Sequence, residues 1–252
     1  MNWVIKENVD NEFVSTLSKE LNISPILSSM LIKRDIKTFD QAKTFFRPNF
    51  EMLHDPFLMK DMSIAVERIQ QAVEKKESIM IFGDYDVDGT SSVALLSLYL
   101  EALGLYVTKY LPDRKNEGYG ISVNAIDNAF DKKQKLIIAL DCGIKAHKQV
   151  DYAKEKEIEF IICDHHNPDI KIPNALAVLN PKRKDCTYPY KELCGCGVGF
   201  KLIQALETKQ SKDNQIINYL DLVALAIAAD VVPLTGENLS LIHISEPTRP
   251  SQ

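Results

Sequence analysis

The chain has 252 residues, enough for one large domain or two small ones with a sizeable core. Its 45% hydrophobic and 26% charged content is ordinary for a globular protein, and no apolar run approaches the roughly 20 residues that span a bilayer. The net charge of −5 excludes a general attraction for nucleic acid, so any such binding must rely on a local basic groove or on bound cations.

The N-terminus, MNWVIKENVDNEF, lacks the apolar core of a signal peptide. Residues 1–60 read as a small helical lead-in. Val14, Leu17 and Leu21 follow helical spacing, Ser24-Pro25 reads as an N-cap with proline at the first helical position, and Phe39 to Phe46 fits a further helix. Arg47-Pro48-Asn49-Phe50 and His54-Asp55-Pro56 form a turn-rich connector. Asp61 then opens a helix with apolar positions at Met62, Ala65, Ile69 and Ala72.

From Ser78 to Pro181 strands and helices alternate. Strands are expected at Ile79–Phe82, Tyr106–Leu111, Leu136–Leu140, Phe160–Cys163 and Ala175–Leu179, with helices at Thr90–Leu103, Val123–Phe130 and Ala146–Lys156. Such alternation predicts an α/β fold, a mostly parallel sheet flanked by helices. The first strand runs into Gly83-Asp84-Tyr85-Asp86-Val87-Asp88-Gly89, and Thr90, Ser91 and Ser92 supply N-cap chemistry for the helix that follows. The third ends in Asp141-Cys142-Gly143 and the fourth in Asp164-His165-His166. In open α/β sheets this is the edge where ligands bind.

Three carboxylates at alternate positions repel one another, and hard divalent cations such as Mg²⁺ or Mn²⁺ relieve the repulsion. A solvated acidic turn is the bland alternative. An EF-hand loop is another, but it needs a Glu six residues after the Gly, where Leu95 stands. A single Asp at a strand end is usually a cap or turn former, and paired histidines alone could be a surface turn. Acids and imidazoles from three strand ends at one sheet edge nevertheless suit a pair of divalent ions sharing a carboxylate. The five cysteines read as reduced thiols of a cytoplasmic protein; Cys194-Gly195-Cys196 could be half of a zinc site, but no second pair exists.

DYDVDG together with Asp-His-His resembles the DHH phosphoesterase superfamily. The segments MNWVIKE, LIKRDIKTFDQAKTFFRP, LHDPFLMKDM, PDRKNEGYG, ALDCGI, CDHHNP, LNPK, GVGFKL and YLDLVALAIAADVVPL resemble, in order, the RecJ group of single-strand-specific 5′→3′ exonucleases. Cys142 and Ala226 depart from that pattern, where Asn and Gly are expected. The likeness covers residues 1–238, so residues 61–238 are expected to be a DHH phosphoesterase domain, truncated relative to the group.

It implies a two-ion Mn²⁺ or Mg²⁺ phosphodiesterase acting on single-stranded DNA in repair and recombination, with a single-strand-binding protein and a helicase as partners and no membrane. Asp86 and Asp141 would hold one ion; Asp88, Asp141, His165 and Asp230 would hold the other. Asp84 would be a further ligand or an orienting group, and Asp230 is favoured over Asp221 as the fourth-motif acid. His166 and Arg114 would contact the scissile phosphate beside Tyr119. Gly195, Gly197 and Gly199 look like a helix N-terminus with free N–H groups for a 5′-phosphate, although a tight helix–strand crossing also explains them. Two other functions remain open: hydrolysis of short oligonucleotides, cyclic dinucleotides or pyrophosphate, and a non-catalytic replication scaffold of the same fold. After Asn238 the sequence LSLIHISEPTRPSQ resembles the frame translation of a sequencing adapter, so residues 239–252 are read as non-native, the rival being a genuine extension.

Overall fold

The computed structural model describes residues 9–210 and 215–245, so the MNWVIKE segment and residues 246–252 lie outside the described residues. The chain forms two units that divide between Met52 and Leu53. The first contains α1 (Asn11–Leu21), α2 (Pro25–Ile32) and α3 (Phe39–Phe46) around Leu17, Leu31, Ile32, Ile36 and Ala42. Each helix starts where the sequence supplies a cap. The Asp10 carboxylate accepts from Glu12 N–H, Ser24 Oγ from Leu27 N–H with Pro25 behind it, and Thr38 forms a capping box with Gln41.

The lead-in thus ends at Met52 and not near residue 60. Residues 53–60 belong to the second unit, where Leu53 and Met59 are buried. The His54 N–H donates to Glu237 Oε1 and its carbonyl accepts from the fully buried Lys201 Nζ at 2.7 Å.

The second unit is built on five parallel strands in the order β2-β1-β3-β4-β5: β1 (Ser78–Gly83), β2 (Tyr106–Tyr110), β3 (Leu136–Leu140), β4 (Glu159–Cys163) and β5 (Ala177–Leu179). The expected α/β architecture is observed. The four apolar residues of β1 and all of β3 are buried, as continuous apolar runs in a parallel sheet require. On one face α6 (Val123–Asp131) and α7 (His147–Glu155) join Met80, Phe82, Ile137, Ala139, Phe160 and Ile162 in one core. The remaining helices of this unit are α4 (Met62–Lys75), α5 (Val87–Ala102), α8 (Gly195–Gln210), α9 (Leu220–Ala229) and α10 (Gly236–Ser245). Of these, α5 packs on β1, α8 on β3 and β4, and α4 on β5, while α9 packs on α5 and α8.

Two local readings are corrected. Helix α5 begins three residues earlier than expected, because Asp86 caps it by accepting from Gly89 N–H at 2.9 Å; Thr90 to Ser92 lie inside the helix. Asp61 precedes α4 without capping it. Its backbone is left-handed and its carboxylate accepts instead from Val178 N–H and from Arg183 Nη1. Residues 239–245, read as non-native, continue the helix begun at Gly236, and Leu241 is buried.

Candidate metal centre

The parallel register aligns Gly83, Leu140, Cys163 and Leu179 on one rung. The next residues on these strands are Asp84, Asp141, Asp164 and Asn180, so apolar β-structure ends on a line of four polar side chains. Two backbone bonds carry the pairing across this step, Asp141 N–H to Cys163 O and Asp164 N–H to Leu179 O. Helix α5 brings Asp86 and Asp88 to the same edge, and the C-terminus of α9 brings Asp230.

Ligand atoms converge in three groups, each within 4.8 Å: Asp84, Asp86 and Asp141; Asp88, His165 and Asp230; and Asp141, His165 and His166. His165 Nε2 lies 3.1 Å from Asp141 Oδ1, 3.5 Å from Asp230 Oδ2 and 3.7 Å from Asp88 Oδ2. Asp141 links the first and third groups. Asp84, placed in the sequence between ligand and orienting group, sits with Asp86 and Asp141, and Asp221 is in none of the groups.

These acids and imidazoles fall into two kinds. Asp88 and Asp164 are anchored by protein donors. Asp88 Oδ2 accepts from Gly195 N–H at 2.6 Å and Oδ1 from Cys196 N–H at 2.8 Å, which seats its charge on the N-terminus of α8. Asp164 accepts from the N–H groups of Ile144, His165 and His166 and from His166 Nδ1 at 2.7 Å. Burial alone would raise its pKa, but the bond and charge of His166 and these N–H groups hold it below the ordinary carboxylate value. The other kind is orphaned. Asp141 Oδ1, Asp230 Oδ2 and both ring nitrogens of His165 are buried without a hydrogen-bond partner.

Unpaired buried polar atoms are costly, and burial shifts their pKa values away from the charged forms. Burial, then the charges of Asp88 and Asp86, push Asp141 up to about 11; the same causes raise Asp230 to about 6. Burial also raises Asp88 and Asp84 and lowers His165 to about 4, leaving its imidazole neutral. Neutral imidazole nitrogens and carboxylate oxygens with open lone pairs are a donor set for Mn²⁺ or Mg²⁺, so the residues fit two divalent ions. Among the described residues, no group containing a cysteine could hold a metal, and all five cysteines are free and buried.

The profile of the DHH family, N-terminal domain, matches residues 78–227, more than half of the chain. The chain belongs to the DHH family. Among relatives, the single-stranded-DNA-specific exonuclease RecJ of Bacillus subtilis is 40% identical over 238 residues, covering 94% of this DHH chain and 30% of its own length. That of Dickeya dadantii is 34% identical over 232 residues, covering 88% and 40%. Of solved structures, an exonuclease RecJ bound to manganese aligns with a TM-score of 0.69 and 32% identity, covering 77% of this chain and 48% of its own. RecJ of Thermus thermophilus in complex with Mn²⁺ aligns with a TM-score of 0.79 and 26% identity, covering 94% and 33%. This DHH chain therefore spans about 30 to 40% of the length of these two curated relatives.

Around the DHH centre, His166 and Tyr119 meet at the rim, with Tyr119 Oη 3.5 Å from His166 Nε2. Arg114 lies over the Tyr85 ring at 5.1 Å and within electrostatic reach of Asp84. Gly197 and Gly199 are not brought to the site as anion ligands. The first two N–H groups of α8 serve Asp88, Gly197 N–H donates to Cys194 Sγ, and Val198 N–H bonds Cys194 O. The glycines instead permit close packing. A Cβ on Gly195 would lie 2.5 Å from Asp141 Cβ, and one on Gly199 would lie 3.3 Å from Leu140 Cδ2.

Sequence reasoning placed Asp164 at the edge but gave it no role, and its carboxylate orients the His166 ring; it missed Asn180, which is fully buried and donates to His166 O at 2.9 Å. The signal for both was available: each is the first polar residue after a buried strand, as Asp84 and Asp141 are.

Proposed function

We infer that this chain is the catalytic part of a metal-dependent exonuclease that digests single-stranded DNA from the 5′ end and releases nucleoside 5′-monophosphates in DNA repair and recombination. The observation that carries the reading is the set of orphaned ligand atoms on Asp141, His165 and Asp230 at the sheet edge. The names of the RecJ relatives support the substrate, and the Mn²⁺ and Mg²⁺ of their solved structures support the ions. This reading carries with it a cytoplasmic setting and, as partners, a single-strand-binding protein and a helicase. No helix of the described residues is long and apolar enough to cross a membrane.

Asp84, Asp86 and Asp141 would hold one ion, and Asp88, His165 and Asp230 the other, with Asp141 between them. Bound ions supply an activated water and neutralise charge at phosphorus during in-line attack. The residues supply position. Asp88 is fixed by α8, so the ligands of the second group cannot splay apart. The bond from His166 Nδ1 to Asp164 turns Nε2 outward, and its charge, favoured by that carboxylate, suits a phosphate oxygen. Arg114 would neutralise a neighbouring phosphate oxygen, and Tyr119 would hold the His166 ring from its open side.

Asp230→Asn is the decisive variant, because Asp230 Oδ2 has no protein partner to lose. With Mn²⁺, the chain is expected to release mononucleotides from 5′-labelled single-stranded DNA, and the variant to lose about 100-fold or more of that rate. Turnover of small phosphoesters alone would mean a hydrolase of small substrates. A chain inert on every phosphoester would mean a non-catalytic relative.

A further inference from the structure

We propose that the cleft walled by Pro168, Ile170, Ile172, Lys182 and Lys184 is a nucleotide subsite, taking the phosphate next to the scissile one on its lysines and the attached base on its apolar wall. The proposal rests on the nucleolytic reading above and names how the strand is held there.

The cleft has a volume of about 540 Å³, in the range of small-molecule sites. It begins where the metal centre ends: Asn167 and Pro168 directly follow His166 and line its wall. Asn180 ties the two sides together, since its Nδ2 donates to His166 O and its Oδ1 accepts from Lys182 N–H at 2.8 Å. The position of the lysine-bearing turn is therefore fixed relative to the histidine loop.

The charges are arranged for an anion. Arg183, in the cleft lining, is buried and already occupied, with bonds to Asp61, Asp185 and Val178 O. Lys182 is only loosely engaged, 3.5 Å from Glu192, and Lys184 is exposed with no ion pair among the described residues. Lys182 lies within electrostatic reach of His165 and Asp230, while Arg114 is within reach of Asp84 at the other end of the ligand cluster. A cation thus lies near each of the two ligand groups, which suits a phosphodiester strand crossing them. In a chain of net charge −5, such local cations must supply the attraction for a nucleic-acid backbone. The opposite wall, residues 167–172, offers an accessible apolar patch, with Ile170 fully exposed and Pro168 and Ile172 half-buried beside it; its one acid, Asp169, faces Lys145 at 3.7 Å. Single strands are held without sequence preference by backbone charge beside a surface that covers the bases; that surface is aromatic in the usual case and aliphatic here.

The test is equilibrium binding of fluorescein-labelled oligo(dT) by the whole chain carrying Asp230→Asn, with and without Lys184→Gln or Ile170→Ser, across a salt series. Lys184→Gln is expected to weaken binding about fivefold and to lower the salt slope by about one; Ile170→Ser should weaken binding with the slope intact. In the otherwise unaltered chain, Lys184→Gln should leave turnover of bis(p-nitrophenyl) phosphate unchanged, since that ester fills only the metal centre. Binding and slope indifferent to Lys184, or an equal loss on the small ester, would overturn the subsite. A chain that binds oligo(dT) through Lys184 yet cleaves no phosphodiester would instead refute the nuclease reading and leave the cleft standing.

Discussion

Helices α5 and α8 begin in the same way, with a glycine-bearing turn at the ligand edge of the sheet, and they do opposite things there. The start of α5 presents carboxylates: Asp86 caps it and Asp88 stands in its first turn. The start of α8 receives one, its Gly195 and Cys196 N–H groups closing on the two oxygens of Asp88. An anion-binding helix terminus is thus filled from within the protein, and its use is to hold a ligand, not a substrate. The fold thus anchors some of its acids with protein donors and leaves others open.

The sharpest break of that pairing is Asp88→Ala, which strands two buried N–H groups. Loss of two charge-assisted bonds should destabilise the chain by about 3–5 kcal/mol, read by denaturant unfolding, and cleavage should vanish with the fold's integrity at that corner. Gly195→Ala attacks the same contact from the other side. Its methyl would collide with Asp141 Cβ, so a loss of about 1–3 kcal/mol and weaker Mn²⁺ binding by calorimetry are expected.

Acids left open respond to pH and metal. Asp141 has a folded pKa raised to about 11, so the stability tied to its proton is complete below the unfolded value near 3.8 and is lost as pH rises. His165, lowered to about 4, works in the opposite sense only below pH 6.5. Between pH 6.5 and 8 the metal-free chain should therefore lose up to about 1.4 kcal/mol per pH unit through Asp141. Thermal unfolding in EDTA should show Tm falling over that window, and the increase given by Mn²⁺ should widen with it. The smallest effect belongs to Gly199→Ala. Its Cβ meets Leu140 Cδ2 at 3.3 Å and Leu95 Cδ2 at 4.0 Å, side-chain ends that can shift, and no substrate contact is at stake. Stability within about 1 kcal/mol of the parent and unchanged KM for single-stranded DNA are expected; a raised KM would return the α8 terminus to the substrate site.

Most of the sheet was legible because a strand buried on both faces is written as an unbroken apolar run, and its end is marked by the first charge. Ile79 to Phe82 before Asp84, and Leu136 to Leu140 before Asp141, show this directly. Where the expectation slipped, a nearer competitor won: Asp86 took the cap expected of Thr90 to Ser92, and Asp61 gave its carboxylate to β5 and Arg183. The free N–H groups expected at Gly195 to Gly199 failed because Asp88, more than a hundred residues earlier, takes the first two and Cys194 takes the next two.

Local order in the chain determined the strands, the caps of the first helices and the identity of the acids and imidazoles, since each depends on residues a few positions apart. Only the tertiary structure decided which of those groups are satisfied and which stay open. That distinction is set by contacts such as Asp88 with α8, Asp141 against Gly195 and Asn180 beneath His166, which the parallel register and helix packing create between distant segments.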